Sequence, residues 1–444
     1  MMERTNAMKK AKQLTRRVFL RGSAVLAGTA LADKLRIQST AYAAGSDRIK
    51  FALIGCGGRG TGAAAQVLNT GAPTILWAMA DAFTDRIERS LSSLIKGREA
   101  RYDSIDVPPE RRFVGFDACQ KAIDSGVDLV LLCTPPGFRP IHYRAAIEAG
   151  KHVFMEKPVC VDAPGFRSVM EANKLADKKD LKVAMGLNMR HTPRYVETVR
   201  RIHDGALGEL VFQRAYCNNA GVWTRPREPG QTEMQYQMRN WYYFVWLCGD
   251  HIVEQHVHLL DLANWVKGTH PVEANGMSGR EVRKGREHGQ IYDHHFVEFT
   301  YADDSKLFSQ CRQIPGCWGS TGNIAHGTQG VGDCSAGKIT GKNTWQFKGK
   351  RVSGHQQEQN DLIKAIREDL KYNEGWYGAT SSMTAILGRM ASYSGQVVKW
   401  DDAVSKGPVE FPYTKKLTMN SVPPVLPDEK GSYPVPMPGV YKPY

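Results

Sequence analysis

The sequence has no CxxC pair, no fixed-period repeat and no apolar run close to the ~20 residues that a membrane helix needs. Its nine cysteines are odd in number and irregular in spacing, which excludes a disulfide scaffold. A polytopic membrane protein, a solenoid and a propeller are excluded as well. What remains is a 444-residue chain of ordinary globular composition, long enough for two domains.

Basic charge is concentrated at the start of the chain. The formal net charge is +14, but residues 1–44 carry nine Lys and Arg against Glu3 and Asp33, a contribution of +7. The remaining residues carry +7 without a dense basic run. We therefore expect no nucleic-acid partner.

The N-terminal segment predicts a targeting signal. A basic stretch to Arg17 precedes the weakly apolar residues 22–32, and Ala41-Tyr42-Ala43 has the A-x-A form of a cleavage site. The run Thr15-Arg16-Arg17-Val18-Phe19-Leu20 resembles a twin-arginine signal, whose route exports folded proteins. We expect residues 1–43 to be such a signal. This implies a periplasmic or extracytoplasmic protein that keeps no membrane span after cleavage and holds its cofactor tightly.

A dinucleotide fingerprint follows the first buried strand. Residues 49–54 read as that strand, Gly55-Cys56-Gly57-Gly58-Arg59-Gly60 comes directly after it, and an Ala-rich helix follows. In the order strand, G-x-G-x-x-G, helix, Gly55 permits the tight turn, Gly57 lets the backbone approach the pyrophosphate, and Gly60 allows close packing. We expect Gly58 and Arg59 to line the nucleotide too.

Asp81 is the predicted ribose ligand. It ends a second strand, 21 residues after Gly60, where a carboxylate binds the ribose hydroxyls and repels a 2′-phosphate. The sequence therefore favours NAD, while the nearby Arg86 keeps NADP open.

Two further strands complete a βαβαβ pattern. Residues 127–133 lead into Thr134 and Pro135, and residues 152–155 lead into Glu156 and Lys157. This alternation predicts an α/β, doubly wound parallel sheet whose ligand lies at the carboxyl ends of the strands. We expect these four residues to lie at the nucleotide.

The G-x-G-x-x-G motif, the strand ending in Cys-Thr-Pro and the segment AGKHVFMEKP resemble the Gfo/Idh/MocA oxidoreductase family. The resemblance covers roughly residues 48–400. It implies a Rossmann domain over 48–170 and a C-terminal α/β domain over 171–405 with a large open, mostly antiparallel sheet. We expect a Pro-rich extended tail over 406–444. Members act mostly on sugars and cyclitols, which implies a small carbohydrate substrate and a homo-oligomer.

The family's second signature, D-x-x-x-H-x-x-D, reads EQHVHLLD at residues 254–261. The resemblance implies that Lys157 and His258 are the catalytic pair. Glu254 replaces the family's Asp, and we expect it to orient His258, because positions four apart share a helix face. These departures leave the exact substrate open.

Five residues are predicted to contact the substrate, three of them in a segment that resembles the family's sugar site. They are Asn188, Arg190, His191, Trp241 and Asp261. The polar segment 218–239 reads as an insertion loop that covers the site, whereas the glycine-rich stretch 316–341 reads as an ordinary loop.

A metal site is the less favoured interpretation of the histidines. His251, His256 and His258, with Glu254, are good ligand types, but their spacing is not a standard ligand pattern. Asp293, His294 and His295 offer further ligands, but they lie in a predicted strand over residues 291–300, where such residues also simply alternate faces. We expect no metal.

Two reactions remain open. The first is NAD(P)-dependent oxidation of a hydroxyl of a sugar, glycoside or cyclitol by hydride transfer. The second is redox-neutral glycoside hydrolysis by oxidation, elimination, water addition and reduction, which needs no paired carboxylates. A non-enzymatic binding protein is less favoured, because Lys157 and His258 are both in place.

Overall fold

The computed structural model describes residues 47–97 and 102–444. The predicted signal over 1–43 lies outside these residues. In the described ranges, no helix has the length and apolar character needed to cross a bilayer. All nine cysteines are free thiols.

The first sheet is a six-stranded parallel sheet in the order β3-β2-β1-β4-β5-β6. Its strands are β1 (Ile49–Ile54), β2 (Thr74–Asp81), β3 (Arg112–Val114), β4 (Leu129–Leu132), β5 (His152–Met155) and β6 (Val183–Met185). Five helices connect them: α1 (Gly58–Leu68), α2 (Thr84–Lys96), α3 (Ala118–Ile123), α4 (Arg139–Glu148) and α5 (Ala163–Lys178). The strand order reverses between β1 and β4, and ligands bind at such a switch point.

The apolar composition of the central strands explains this architecture. Every residue of β4 is buried, and so is all of β1 except Lys50, as expected for strands covered by helices on both faces. The predicted Rossmann fold is confirmed. Strand β6 lies beyond residue 170, so the first sheet extends past the predicted end of that domain, while the division into domains stays a prediction.

The second sheet has nine strands in the order β14-β13-β12-β11-β7-β10-β9-β8-β15. They are β7 (Leu210–Asn219), β8 (Glu273–Gly279), β9 (His294–Thr300), β10 (Lys306–Gln313), β11 (Ser320–Gly327), β12 (Gly330–Asp333), β13 (Lys338–Gly341), β14 (Trp345–Gln346) and β15 (Val398–Lys399). All neighbouring strands pair antiparallel except β7 and β10. The predicted open, mostly antiparallel sheet is thus confirmed.

The loop predicted over 316–341 is wrong, because that stretch contains β11, β12 and β13. Strand β11 pairs with β7 along its whole length. These tertiary hydrogen bonds outweigh the low strand propensity of glycine.

Eight further helices complete the described chain. They are α6 (Pro193–His203), α7 (Glu233–Arg239), α8 (Val245–Cys248), α9 (His251–Glu254), α10 (Val257–Lys267), α11 (Gly354–Arg367), α12 (Gly375–Ser394) and α13 (Trp400–Lys406). Helix α11 returns to the first sheet, where Leu362 and Ile363 join the same buried cluster as Phe51 and Leu131. Residues 407–444, all of them described, form neither helix nor strand.

Candidate active site

The turn after β1 can be formed only by glycine. Gly55 has φ +96°, and a Cβ there would lie 2.5 Å from the carbonyl carbon of Cys133. A Cβ on Gly60 would lie 2.0 Å from the carbonyl oxygen of Gly55. These close approaches hold the start of α1 against β1 and β4, as the fingerprint predicts.

The other two fingerprint glycines border open space. A Cβ on Gly57 or Gly58 would meet no atom within 4 Å. Helix α1 begins here, Gly57 supplies no side-chain cap, and the first turn has no acidic residue. Backbone N–H groups at a helix N-terminus favour an anion, so this cradle fits the pyrophosphate of a dinucleotide.

A cavity of about 460 Å³ extends from this loop. Among the predicted nucleotide residues that line it are Gly55, Gly57, Gly58, Arg59, Gly60, Asp81, Thr134 and Pro135. It therefore brings together residues from the carboxyl ends of β1, β2 and β4, as a doubly wound sheet requires.

Asp81 faces this cavity with its carboxylate already anchored. One oxygen accepts a hydrogen bond from the Cys56 N–H at 2.7 Å and the other from the Phe83 N–H at 3.0 Å. Burial raises the pKa of the Asp81 carboxyl, and Arg86 opposes that shift. The anchored carboxylate is positioned to accept from a ribose hydroxyl.

The segment after β7 covers the same cavity. Trp223, Arg225, Arg239 and Trp241 line it, and Arg239 pairs with Asp85 at 2.8 Å. The predicted covering segment over 218–239 thus lies at the nucleotide cavity. Trp241, which we expected to contact substrate, lies on this wall with its ring 5.9 Å from Trp223.

Lys157 and Glu254 meet although 97 residues separate them. The Lys157 Nζ donates to Glu254 Oε1 at 2.8 Å and also to the Glu254 carbonyl oxygen. The two side chains are 11 % and 9 % exposed. With His258 they form what we call the lysine cluster, which lies beyond the residues that line the nucleotide cavity.

His258 is held neutral. It lies on α10, and its Nδ1 is buried without a hydrogen-bond partner among the described residues. Burial, followed by the positive charges of Lys157, His355 and Arg59, holds the pKa of His258 well below its usual value. A neutral imidazole can accept a proton, which is what hydroxyl oxidation requires.

Arg59 and Glu156, both predicted at the nucleotide, pair with each other. The Arg59 Nε donates to Glu156 Oε1, and its Nη2 donates to Glu358 Oε1 at 3.1 Å. Glu358 is fully buried on α11, and burial, reinforced by Glu156, raises its pKa to about 7. This ion pair links the nucleotide loop to the residue before Lys157.

Sequence reasoning missed the α11 residues of this site. The Nδ1 of His355 lies 3.4 Å from Glu358 Oε1, and its charge reaches His258. No motif marks either residue, because α11 comes about 200 residues after the E-K-P motif. Only the packing of α11 on the first sheet brings them here.

Three of the predicted substrate residues are committed to internal ion pairs. Arg190 donates to both carboxylate oxygens of Asp261, with the shortest contact at 2.8 Å. His191 lies 2.8 Å from Asp361 and 3.1 Å from Glu374. These ion pairs hold the three side chains in place, and their contact with substrate stays a prediction. Asn188 is partly exposed, and its contact with substrate stays a prediction.

His251 and His256, the alternative metal ligands in the sequence, do not belong to one cluster of possible ligands among the described residues. The His256 Nε2 lies 2.7 Å from the Ser309 hydroxyl. His251 instead lies beside Asp250 and His295, and all three side chains are buried.

The comparisons with known proteins agree with this geometry. Residues 49–187 match the family GFO_IDH_MocA, described as "Oxidoreductase family, NAD-binding Rossmann fold". The chain is 25 % identical over 245 residues to the inositol 2-dehydrogenase of Rhizobium meliloti. This alignment covers 55 % of this chain and 63 % of that protein. It is 31 % identical over 166 residues to inositol 2-dehydrogenase 4 of Saccharopolyspora erythraea, covering 36 % of this chain and 43 % of that protein. The matches thus span less than two thirds of either relative.

Solved structures share the fold over about four fifths of this chain. The aldose-aldose oxidoreductase from Caulobacter crescentus has a TM-score of 0.61 at 17 % identity, over 79 % of this chain and 99 % of that one. A levoglucosan dehydrogenase in complex with NADH has a TM-score of 0.63 at 15 % identity, with the same coverage. At this identity the likeness concerns the fold alone.

Proposed function

From the premise that residues 49–187 form the NAD-binding Rossmann domain of a Gfo/Idh/MocA family oxidoreductase, we propose that the chain oxidises a hydroxyl of a sugar, glycoside or cyclitol. The observation that carries this proposal is the lysine cluster, where a neutral His258 lies beside a Lys157 fixed by Glu254. The relatives' names, inositol 2-dehydrogenase among them, favour a polyhydroxylated ring as substrate.

The proposed chemistry divides between two side chains. When bound, NAD accepts the hydride from the carbon that carries the hydroxyl. His258 takes the hydroxyl proton, because its imidazole is neutral and its Nδ1 has no hydrogen-bond partner among the described residues. The Lys157 ammonium stabilises the negative charge that develops on the substrate oxygen.

Glu254 keeps Lys157 in position for this step. Its carboxylate and its carbonyl oxygen both accept from Nζ, which restricts a flexible four-carbon side chain. Glu254 is therefore a positioning residue. The Arg59–Glu156 pair restrains the backbone on the other side of Lys157.

We also propose that the nucleotide does not exchange freely. Helix α7 carries Met238 and Arg239 over the cavity and is itself held by the C-terminal tail. The Gln237 amide donates a hydrogen bond to the Val425 carbonyl at 2.8 Å, and the Tyr433 hydroxyl donates one to the Glu233 carboxylate. Release of the nucleotide requires α7 to move, which breaks these contacts.

The first experiment uses purified, extensively dialysed protein without added cofactor. After heat denaturation, chromatography of the supernatant is expected to yield about one NAD(H) per chain.

The Asp81→Ala variant is expected to shift the preference towards NADP, because the carboxylate that repels a 2′-phosphate is gone. An unchanged preference contradicts the role of Asp81.

The same preparation is then mixed with a panel of chromogenic glycosides and free cyclitols. Aglycone release and NADH absorbance are followed together. A stoichiometric rise in NADH without sustained release supports the proposed dehydrogenase. Repeated release without lasting NADH contradicts it and favours the glycoside hydrolase, for which the comparisons give no support.

We propose that a second copy of this chain covers the outer face of the second sheet. Met277 is 73 % exposed on β8, and Phe296 and Phe308 alternate with buried residues on β9 and β10. Light scattering after gel filtration is expected to give a multiple of the chain mass, and Met277→Glu is expected to lower it. Val409→Glu, equally apolar and exposed at 66 %, is the control.

We further propose export by the twin-arginine route, on the sequence of residues 15–20 and 41–43 alone. Fractionation of cells expressing the full chain is expected to place it outside the cytoplasm. The Arg16→Lys/Arg17→Lys double variant is expected to remain inside. Equal distribution of the two proteins contradicts the proposal.

A further inference from the structure

A second buried polar group, the histidine cluster, comprises Asp250, His251 and His295. One ligand atom from each residue lies within 4.8 Å of the other two. The Asp250 Oδ1 is 3.5 Å from His295 Nε2 and 3.9 Å from His251 Nε2. Ligands around a tetrahedral zinc ion at its usual bond lengths are separated by about 3.3 Å, so small shifts would close the site.

Three of the four imidazole nitrogens in this cluster have no hydrogen-bond partner among the described residues. Both ring nitrogens of His251 are buried without a hydrogen bond to the described residues, and so is Nε2 of His295. His251 is 1 % exposed and His295 is 3 % exposed. A buried polar atom left unsatisfied costs about 1–3 kcal/mol, so three of them in one place need an explanation.

The surrounding residues fix the direction of the ligand atoms. The Ser392 hydroxyl lies 2.9 Å from His295 Nδ1, which leaves Nε2 facing Asp250. The Asp250 Oδ2 accepts from the Tyr292 N–H at 2.9 Å and from the Tyr393 hydroxyl. Its Oδ1, which also accepts from the His251 N–H, faces the two imidazoles. Such outer contacts are typical of metal ligands.

The backbone of Asp250 supports the same interpretation. Its φ is +75°, a conformation that a residue with a side chain adopts only under constraint. This conformation starts α9 and brings the carboxylate and the His251 ring to the same point. Backbone strain of this kind clusters at functional sites.

We propose that Asp250, His251 and His295 bind one divalent cation of the zinc class. Two imidazole nitrogens and one carboxylate oxygen are its preferred ligands, and a water molecule completes the coordination. The cation would satisfy the unpartnered nitrogens. The proposal is independent of the reaction that the enzyme catalyses.

The position of the cluster indicates what the cation does. Asp250 and His251 lie at the start of α9, whose last residue is Glu254 of the lysine cluster. His295 lies on β9 of the second sheet. A bound cation would therefore cross-link the segment that carries Glu254 and His258 to the second sheet.

The test measures metal in the intact protein. The full chain is produced in zinc-supplemented medium, purified without chelators and analysed by mass spectrometry. About one zinc per chain is expected, with a fall in melting temperature after removal by a chelator and recovery on adding Zn²⁺. Less than 0.1 metal per chain, with no uptake and no thermal shift on adding Zn²⁺, overturns the proposal.

Variants locate the ion. His295→Gln is expected to lose the metal, whereas His294→Gln, on the neighbouring exposed position of the same strand, is expected to retain it. His256→Gln changes a buried histidine outside the cluster and is expected to retain it too. Metal retained in His295→Gln, or lost equally from both control variants, overturns the assignment.

Cobalt gives a readout that does not depend on folding of the variants. Wild-type protein reconstituted with Co²⁺ is expected to show the visible absorption of a low-coordinate N/O site, which Zn²⁺ displaces. The spectrum of hexahydrated Co²⁺ alone would overturn the proposal. A spectrum with strong thiolate-to-metal bands would do the same, since no thiol belongs to the cluster.

Discussion

Two polar clusters share the nine-residue segment 250–258, yet their charges are balanced differently. In the lysine cluster the Glu254 carboxylate is neutralised by an ammonium group at 2.8 Å, and His258 is surrounded by cations. In the histidine cluster the Asp250 carboxylate faces two imidazoles with unpartnered nitrogens. The lysine cluster contains its own cation, whereas three imidazole nitrogens of the histidine cluster have no hydrogen-bond partner among the described residues.

The difference shows how a short segment can serve two purposes. Helix α9 begins in the histidine cluster and ends in the lysine cluster. The histidine cluster contacts β9, whereas the lysine cluster contains Lys157, which lies two residues after β5. In this interpretation the histidine cluster supports the segment and the lysine cluster performs the chemistry. Substitutions that affect one cluster alone test this separation.

The largest effect is expected from Lys157→Met. Loss of the ammonium removes the group that stabilises the developing charge, so turnover is expected to fall about 10³-fold. The bound nucleotide and the metal content are expected to stay unchanged. The control is Lys151→Met, which changes a partly exposed lysine just before β5. Turnover within twofold of wild type in Lys157→Met removes Lys157 from the site.

His258→Gln is expected to lower turnover about 10²-fold, because the proton acceptor is lost. Since the pKa of His258 lies well below its usual value, wild-type kcat/KM is expected to stay flat from pH 6 to pH 8 instead of falling on the acid side. A pH–rate profile checks this. An acid limb near pH 6.5 that disappears in His258→Gln contradicts the low pKa.

Glu254→Gln separates the two clusters most directly. The amide still accepts from Lys157 but no longer carries a charge, so we expect about a tenfold loss of kcat with little change in KM. Metal content should match wild type, because Glu254 is not in the histidine cluster. If the metal is lost together with the activity, the two clusters form one unit and the comparison fails.

The smallest effect concerns Glu358, which balances the cations around His258. Its pKa is raised to about 7 by burial, so the folded protein binds this proton more tightly than the unfolded chain. The resulting stability is fully present below pH 4.5 and is lost as the pH rises through about 7. Glu358→Gln is expected to reduce the slope of the unfolding free energy against pH in denaturant titrations. An unchanged slope contradicts the raised pKa.

The local motifs could be predicted from the sequence because each lies in one continuous segment. The turn from β1 into α1 needs Gly55 and Gly60 at fixed positions, and the structure shows the close approaches that exclude a side chain there. Lys157 and Glu254 were both predicted for the catalytic site and lie in contact, although Glu254 was expected to orient His258 and binds Lys157 instead. Resemblance to a family placed them in one site, since nothing in the spacing joins residues so far apart.

What the sequence did not reveal depends on tertiary packing. Glu358 and His355 reach the site because apolar residues of α11 pack against the first sheet. Asp250 meets His295 because β9 passes beside the start of α9. For Arg190 and His191, residue type suggested sugar recognition, but their carboxylate partners lie 71 to 183 residues away and could not be foreseen.

The position of β7 in the second sheet determines the order in which the protein can fold. Its hydrogen-bonding partners on both edges, β10 and β11, are synthesised more than 85 residues later. While the nascent chain is still shorter than that, both edges of β7 remain bare, and bare edges promote aggregation. Truncated chains that stop between residues 220 and 305 are therefore expected to precipitate unless a chaperone shields β7.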